Sequence, residues 1–408
     1  MTESLTPSVP SETFPWERGP FDPPPAYRWL RDNQPVVRVQ LSSGQSVWLV
    51  TRYDDVRLIL ADPRVSADIN QPGFPIINTA VKPVPEYRSF VHSDPPDHTM
   101  FRRLLAKTFM LKRAEAMAPQ VQRLVDDQLD HLLSLPQPAD LVHEFALPIP
   151  STVLSWLLGV NAEDAPFFNR AAEEILGDVR TNSEESHRRS AAAAEELRLY
   201  LEGLVDEKAA FDDPPEDIIG QMVGAMKEGK CTRQEVVQSG ISLTIAGHDT
   251  TASMAATGML TLLQHPAEFE RLRAQPELIP AAIEELLRYL TVVHLIVVRV
   301  AREDIDIGGV TIPAGEGIVP LNFSANRDDA RFPDAATFDI DRDTRGHLAF
   351  GHGVHQCIGQ PLARVELRII FETLLRRVPT LRLAVPVDDL EFKLNSSING
   401  VAELPVTW

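Results

Sequence analysis

The order of hydrophobic and polar positions divides the chain into a helical middle and strand-like ends. Apolar stretches at 36–39 and 47–50 flank a polar turn near Ser42, Ser43 and Gly44, a pattern that predicts a small hairpin. From residue 99 to about 290 the apolar spacing is helical, and strong helix formers are frequent. We therefore expect a mainly α protein (α+β), in which small β-sheets near both ends of the chain accompany a large helical bundle.

The strand-like pattern returns after the helical region. β-branched residues are frequent between positions 297 and 318, and strand-like pieces recur from Leu381 to the end. Between positions 66 and 96, closely spaced prolines predict a long loop, and loops of that length are usually functional or disordered. No repeat or linker divides the chain, so we expect a flexible tail over 1–20 and a single domain over 21–408.

Composition narrows the class of protein. The 408 residues include 39 Lys and Arg against 58 Asp and Glu, a net charge of −19, which argues against nucleic acid as a partner. A hydrophobic share of 44% with 24% charged residues suits a globular protein with a large core. Only Cys231 and Cys357 are cysteines, and the N-terminus has no apolar signal segment. We expect a cytoplasmic protein without a membrane anchor.

The segment 350–359 concentrates the chemistry. Three glycines surround Cys357, and Pro361 then precedes a helical pattern, so the cysteine is predicted on a loop before a helix start, where amide groups favour a metal-ligating thiolate. Two other interpretations stay open from the residues alone. Cys357 could be a small buried residue in a glycine-rich turn, or it could bind zinc with His352 and His355, although a fourth ligand is missing.

Three other patterns have both an ordinary and a functional interpretation. The polar run 246–251 interrupts an apolar helical stretch, which predicts a local distortion of that helix. Glu285 and Arg288 share a helix face and could be a solvated surface pair. His98 and Arg102, four residues apart, could reach one acceptor together.

Taken together, these patterns resemble the cytochrome P-450 family. Phe350, Gly353, His355, Cys357 and Gly359 are similar to the family's haem-binding loop, and the motifs at 98–102, 246–251 and 285–288 follow in the family's order. The resemblance extends over the chain after the tail. It implies the cytochrome P-450 fold and a haem b cofactor whose iron is bound by the Cys357 thiolate.

The resemblance also implies roles for the other motif residues. Thr250 would hydrogen-bond dioxygen, and Asp249 would relay protons to it with water. The residues implied in cofactor binding are His98, Arg102, Ala246, Arg299, Phe350, Gly351, His355, Cys357 and Gly359. Those implied in lining the substrate pocket are Ile245, Ala246, Leu295 and Ile398. An internal ion pair of Glu285 and Arg288, with Arg342 as third member, would brace the haem loop.

The implied activity is that of a monooxygenase, which inserts one atom of O2 into a hydrophobic small molecule by hydroxylation or epoxidation. The similarity to actinobacterial members suggests tailoring of a secondary metabolite. Electrons would come from a ferredoxin and its reductase, which would dock on a basic patch around Cys357. We assign that patch to Arg102, Arg103, Lys107, Arg364 and Arg368. Two alternatives are a haem-thiolate peroxygenase and a non-catalytic protein that binds or senses haem ligands.

Overall fold

A computed structural model describes Phe14 and residues 18–41, 43–77, 89–176, 184–394 and 396–408. Most of the described chain is helical. The α-helices are α1 Ala26–Asn33, α2 Tyr53–Ala61, α3 Asp97–Phe109, α4 Leu111–Ser134, α5 Pro148–Leu158, α6 Ala165–Leu176, α7 Glu184–Ala209, α8 Ile218–Lys227, α9 Arg233–Gln264, α10 Pro266–Ala274, α11 Ile279–Leu290, α12 Asn322–Ala325 and α13 Gln360–Arg377.

Short strands form small sheets outside the helical bundle. The strands are β1 Val36–Gln40, β2 Ser46–Val50, β3 Val65–Ser66, β4 Ala139–Asp140, β5 Arg299–Ala301, β6 Ile305–Ile307, β7 Val310–Ile312, β8 Gly317–Pro320, β9 Arg382–Leu383 and β10 Pro405–Thr407. One sheet has the order β1-β2-β8-β5-β3, a second has the order β4-β10-β9, and β6 pairs with β7. Segments distant in sequence therefore meet in each of the two larger sheets.

Helix α9 runs through the middle of the bundle. A capping box of Thr232 and Glu235 fixes its first turn, and most of its 32 residues are buried. It packs against α5, α6, α7 and α13. Helix α4 packs against α13, and it has a buried stripe that includes Val121, Val125 and Leu129, which recur every four residues on one helix face.

The predicted fold class is confirmed, a helical bundle with small sheets from both ends of the chain. The hairpin at 36–50 is also confirmed, because Val36 pairs with Val50 in antiparallel register; Ser42 lies outside the described residues. The predicted distortion at 246–251 does not interrupt α9. The helix is continuous there, although the Thr250 hydroxyl donates to the Ala246 carbonyl at 2.9 Å, a bond that weakens a helix only slightly.

Two irregular segments differ from their simplest prediction. Within the expected tail 1–20, Phe14 is buried and its N–H donates to the Gln40 carbonyl, while Arg18 donates to the Lys393 carbonyl. These two residues therefore contact the fold. Within the expected loop 66–96, the described part includes β3 and a 3₁₀ turn at Phe90–His92, and residues 78–88 lie outside the described chain.

Candidate active site

The loop around Cys357 is closed by backbone hydrogen bonds. The Cys357 N–H donates to the Phe350 carbonyl at 2.8 Å, and a 3₁₀ turn at Gly353–His355 lies between these residues. Gly353 has φ +73°, and a Cβ there would collide with the Leu60 carbonyl of α2, so the tight approach of loop and helix requires glycine. The predicted loop before a helix start is confirmed, since α13 begins at Gln360.

The side chain of Cys357 is accessible although it lies within the protein. Its side chain is solvent-accessible, while burial raises the pKa of its thiol. The backbone N–H groups of Gly359 and Gln360 donate to the sulfur, and Arg102 and Arg364 lie near it; these groups lower the same pKa. A side chain that is accessible within such surroundings faces an internal space. A bound metal ion would deprotonate the thiol outright.

Beside Cys357 lies a cluster of cations and imidazoles, and Asp94 is an acidic residue close enough to affect it. His98 is 2% exposed, and neither ring nitrogen has a hydrogen-bond partner in the described structure. Its ring lies 4.2 Å, centroid to centroid, from that of His355. Arg102 and Arg299 make no ion pair within the described residues. Burial lowers the pKa of Arg102 and lowers that of Arg299 to about 10, and the nearby negative charges of Cys357 and Asp94 offset this effect only in part.

His92 belongs to the same cluster, and sequence analysis missed it. Burial, with the nearby charge of Arg299, lowers its pKa to about 4, so the ring is neutral at pH 7. Phe74 packs edge-on against this ring, with the ring centroids 6.4 Å apart. His92 lies only six residues before His98, but no spacing rule distinguishes it from an ordinary histidine in a loop.

One face of α9 is open although the helix runs through the core. Ala246 is exposed and Thr250 is partly exposed, whereas Leu243, Thr244 and His248 are buried. Ala246 and Thr250 are four residues apart and therefore share this face. Asp249 is 4% exposed, and its Oδ1 accepts hydrogen bonds from Ser253 at 3.1 Å and from Lys393 at 2.9 Å.

The structure separates the residues that were assigned to the substrate pocket. Ile245 and Ala246 lie on α9 and are partly or fully exposed. Leu295 and Ile398 are 2% and 0% exposed and pack into hydrophobic core clusters, so their side chains do not reach open space. The neighbouring Ile296 is instead 39% exposed. Next to this segment, Val293 and Ile398 form a β-bridge.

Glu285, Arg288 and Arg342 come together in the interior. The Arg288 guanidinium donates to both Glu285 carboxylate oxygens at 2.7 Å, and both side chains are fully buried. Arg342 Nε donates to Glu285 Oε1 at 3.3 Å. Arg288 also donates to the Asn326 carbonyl, and Asn326 Oδ1 accepts from the Leu348 N–H. This network therefore reaches the segment that precedes Phe350. Asn326 belongs to the network although the sequence did not indicate it.

The zinc interpretation of the loop finds no support in the geometry. Arg57 Nε donates to His352 Nε2 at 3.3 Å, while His355 stacks on His98. Across the described ranges of the chain, no three His, Cys, Asp or Glu side chains converge on a point suited to a metal ion.

Among the helices that are described, none combines the length and apolar character needed to cross a bilayer.

The residues present fit a haem. Cys357 supplies a single accessible sulfur, and the guanidinium groups of Arg102 and Arg299, with the orphaned ring nitrogens of His98, suit an anionic ligand beside it. A single accessible sulfur with such a cluster beside it is typical of the haem-thiolate proteins.

Comparison with known proteins identifies the family within that class. The family model described as Cytochrome P450 matches residues 22–397, and the chain belongs to the cytochrome P450 family. It is a monooxygenase of this haem family, as its sequence predicted.

Similar proteins cover almost the whole chain. Cytochrome P450-SU2 of Streptomyces griseolus is 46% identical over 390 residues, which are 95% of this chain and 94% of that protein. Pentalenic acid synthase of Streptomyces avermitilis is 41% identical over the full length of both chains. Among solved structures, the mycinamicin VIII C21 methyl hydroxylase MycCI of Micromonospora griseorubida is 40% identical with a TM-score of 0.88, covering 95% of this chain and 97% of that one.

Proposed function

We propose that this P450 oxidises a hydrophobic secondary metabolite, with haem b bound through Cys357 and electrons from a ferredoxin. The single observation that carries the proposal is the accessible sulfur of Cys357 beside the buried guanidinium groups of Arg102 and Arg299. The names of the similar proteins, a pentalenic acid synthase and a mycinamicin hydroxylase, support tailoring of a natural product. The apolar Ala246 and Ile296, both exposed, support a hydrophobic substrate.

The chain's own residues account for binding of the cofactor. His98, Arg102, Arg299 and His355 would hold the two carboxylates of haem b, and Phe350, Gly351 and Gly359 would shape the loop around the sulfur. At Gly351 a Cβ would meet no heavy atom of the described chain within 4 Å, so the loop leaves room on this side.

We propose that residues 21–408 form a single haem-binding monooxygenase domain. We also propose a cytoplasmic location, in keeping with two cysteines that are both unpaired.

When bound, the haem supplies activation of dioxygen and transfer of one oxygen atom to carbon. We assign proton handling to α9. The Thr250 hydroxyl donates a hydrogen bond to the Ala246 carbonyl, and both residues lie on the open face of α9. A rotation about χ1 would let this hydroxyl donate a proton toward the open space beside that face. Asp249, one residue earlier, would accept protons from water and return them to Thr250.

The test of this proposal is the yield of product per electron pair. In a reconstituted reaction under ¹⁸O₂, we expect one labelled oxygen atom in the product. Thr250→Ala and Asp249→Asn should each lower product per NADPH by about tenfold or more, because general acid catalysis contributes at least that much. The electrons then appear as hydrogen peroxide, formed from O2, two electrons and two protons.

Thr244→Ala is the matched control. Thr244 lies in the same helix and its hydroxyl also donates to the carbonyl four residues earlier, Gly240, at 2.9 Å, but its side chain is fully buried. We expect Thr244→Ala to keep the coupling of wild type. Unchanged coupling in either Thr250→Ala or Asp249→Asn would refute the relay, and product without NADPH consumption in the presence of peroxide would favour a peroxygenase.

For the electron donor, the structure modifies the predicted basic patch. Arg364 pairs with Glu284 and Arg368 with Glu115, so neither carries an uncompensated charge. The exposed cations lie instead where α3 meets α4. This α3–α4 basic surface consists of Arg103, Lys107, Lys112 and Arg113, with Met110 and Leu111 exposed at its centre.

We propose that an acidic ferredoxin docks on the α3–α4 basic surface. The four cations of this surface make no ion pair within the residues described here, although the chain as a whole has a net charge of −19. Arg102 on α3 lies near Cys357, and Arg368 on α13 reaches Glu115 on α4, so the surface adjoins the sulfur side of the site. Exposed apolar residues ringed by one sign of charge suit a transient partner.

Charge reversal tests this docking. We expect Arg103→Glu combined with Lys107→Glu to slow reduction by ferredoxin about tenfold at low salt and much less at high salt, because exposed charges act mainly on association and are screened. Stopped-flow reduction at several ionic strengths measures the effect. The control Arg188→Glu reverses an exposed charge on α7, and ferredoxin should reduce this variant at the wild-type rate. Equal slowing in both proteins would reject the surface.

A further inference from the structure

The buried carboxylate of Asp249 has a cationic partner from the far end of the chain. Lys393 Nζ lies 2.9 Å from Asp249 Oδ1, and the Ser253 hydroxyl donates to the same oxygen at 3.1 Å. The Asp249 side chain is 6% exposed and that of Lys393 is 23% exposed. This ion pair is therefore largely withdrawn from solvent, where opposite charges interact more strongly than at a surface.

The position of Lys393 is fixed by its backbone. Its N–H donates to the Gly400 carbonyl at 2.8 Å, and its own carbonyl accepts from the Ser396 N–H and from Arg18. Gly400 in turn packs against α9, because a Cβ at this position would lie 2.6 Å from Ser253 Oγ. The turn that carries the lysine is thus seated on α9 one helical turn beyond Asp249.

Other titratable groups near the pair do not replace this cation. Glu173 on α6 lies near both partners, and burial raises the pKa of its carboxyl group; Asp249 raises it further, while Lys393 and His143 lower it. His248 on α9 is buried, which lowers its pKa to about 4, so its ring is neutral at pH 7. Its Nδ1 lies 2.7 Å from Ser151 Oγ on α5.

We propose that Lys393 is a positioning residue, which pairs with the Asp249 carboxylate and holds it beside Ser253. A buried carboxyl group without a nearby cation favours its neutral form, and a neutral Asp249 could not accept a proton from water. Loss of the Lys393 charge would therefore weaken the relay most at low pH. This inference rests on the relay role given to Asp249 under the proposed function.

The pH profile of coupling tests the proposal. We expect Lys393→Met, which keeps the length of the side chain without its charge, to move the acidic limb of product per NADPH upward by about one to three pH units. The direction follows because Asp249 then needs a higher pH to ionise. Lys393→Arg should restore the wild-type profile. Glu173→Gln combined with Lys393→Met should keep the displaced limb, which excludes Glu173 as the titrating group.

A purely structural anchor would behave differently. In an Asp249→Asn background, Lys393→Met should change the coupling no further, whereas loss of an anchor would add its effect in either background. A readout independent of turnover is the acetylation rate of Lys393 in the haem-loaded protein, measured by mass spectrometry. Asp249→Asn should raise this rate several-fold, because the ammonium group loses its ion-pair partner.

The outcomes separate the two levels of the argument. If Asp249→Asn leaves coupling unchanged, the relay of the proposed function fails. If Asp249→Asn uncouples the reaction but Lys393→Met leaves the pH profile in place, only the positioning role of Lys393 is overturned. Should Lys393→Met fold poorly by thermal unfolding, the Lys393→Arg profile and the acetylation rate in Asp249→Asn still decide, and an unchanged acetylation rate contradicts the ion pair.

Discussion

We expect Cys357→Ser to abolish the thiolate-type absorption of the reduced protein with carbon monoxide, together with all turnover. A serine hydroxyl at this position would stay protonated near neutral pH and could not donate the electron density that a thiolate gives to haem iron. The N–H groups of Gly359 and Gln360 that stabilise a sulfur anion would also lose their acceptor. Reduced–carbon monoxide difference spectra and product assays measure both effects.

Cys231→Ser is the control that the chain itself provides, because it removes the only other cysteine. Cys231 is buried, its thiol donates to the Met222 carbonyl, and burial raises its pKa to about 11, so it stays a protonated packing residue. This variant should keep the wild-type spectrum. A thiolate-type band that survives Cys357→Ser would show that the sulfur ligand had been misassigned. A wild-type protein with that band but no product under any condition would favour the ligand-sensing alternative.

The features that the sequence predicted well are those encoded locally. The glycines around Cys357 determine a loop conformation by themselves, and the three-residue spacing of Glu285 and Arg288 places both side chains on one face of α11. The long apolar pattern of α9 likewise predicts a helix without reference to its neighbours. Such features need only a few consecutive residues, so a single sequence contains enough information to find them.

The features that the sequence could not predict depend on distant residues. The segment before Arg299 is irregular and has no period, so whether Leu295 or Ile296 faces open space is decided by core packing and not by spacing. Arg364 and Arg368 on α13 each pair with an acidic residue of another helix, Glu284 and Glu115, which no local pattern indicates. Lys393 lies 144 residues from Asp249 in sequence, and nothing in either local pattern indicates the other.

The internal network of Glu285 allows a stability prediction with a matched pair on the surface. We expect Arg288→Met to lower the free energy of unfolding by about 3–5 kcal/mol, because it leaves a buried carboxylate without its main cation. It also leaves the carbonyls of Asn326, Ala335 and Thr337 without this donor. Arg342→Met should cost less, since Arg342 contributes a single, longer bond to Glu285, at 3.3 Å.

The control is the pair of Glu270 and Arg273 on α10, which has the same three-residue spacing and a similar distance, 2.7 Å, but lies at the surface. Arg273→Met should cost about 0–1 kcal/mol, because solvent already screens that pair. Thermal unfolding of the haem-loaded proteins ranks the variants, and haem retention after gel filtration reports on the link through Asn326 to the Cys357 loop. If Arg288→Met and Arg273→Met unfold at the same temperature, burial of the Glu285 network adds no stability. If Arg288→Met loses haem at an unchanged unfolding temperature, the network stabilises the Cys357 loop and not the helical bundle.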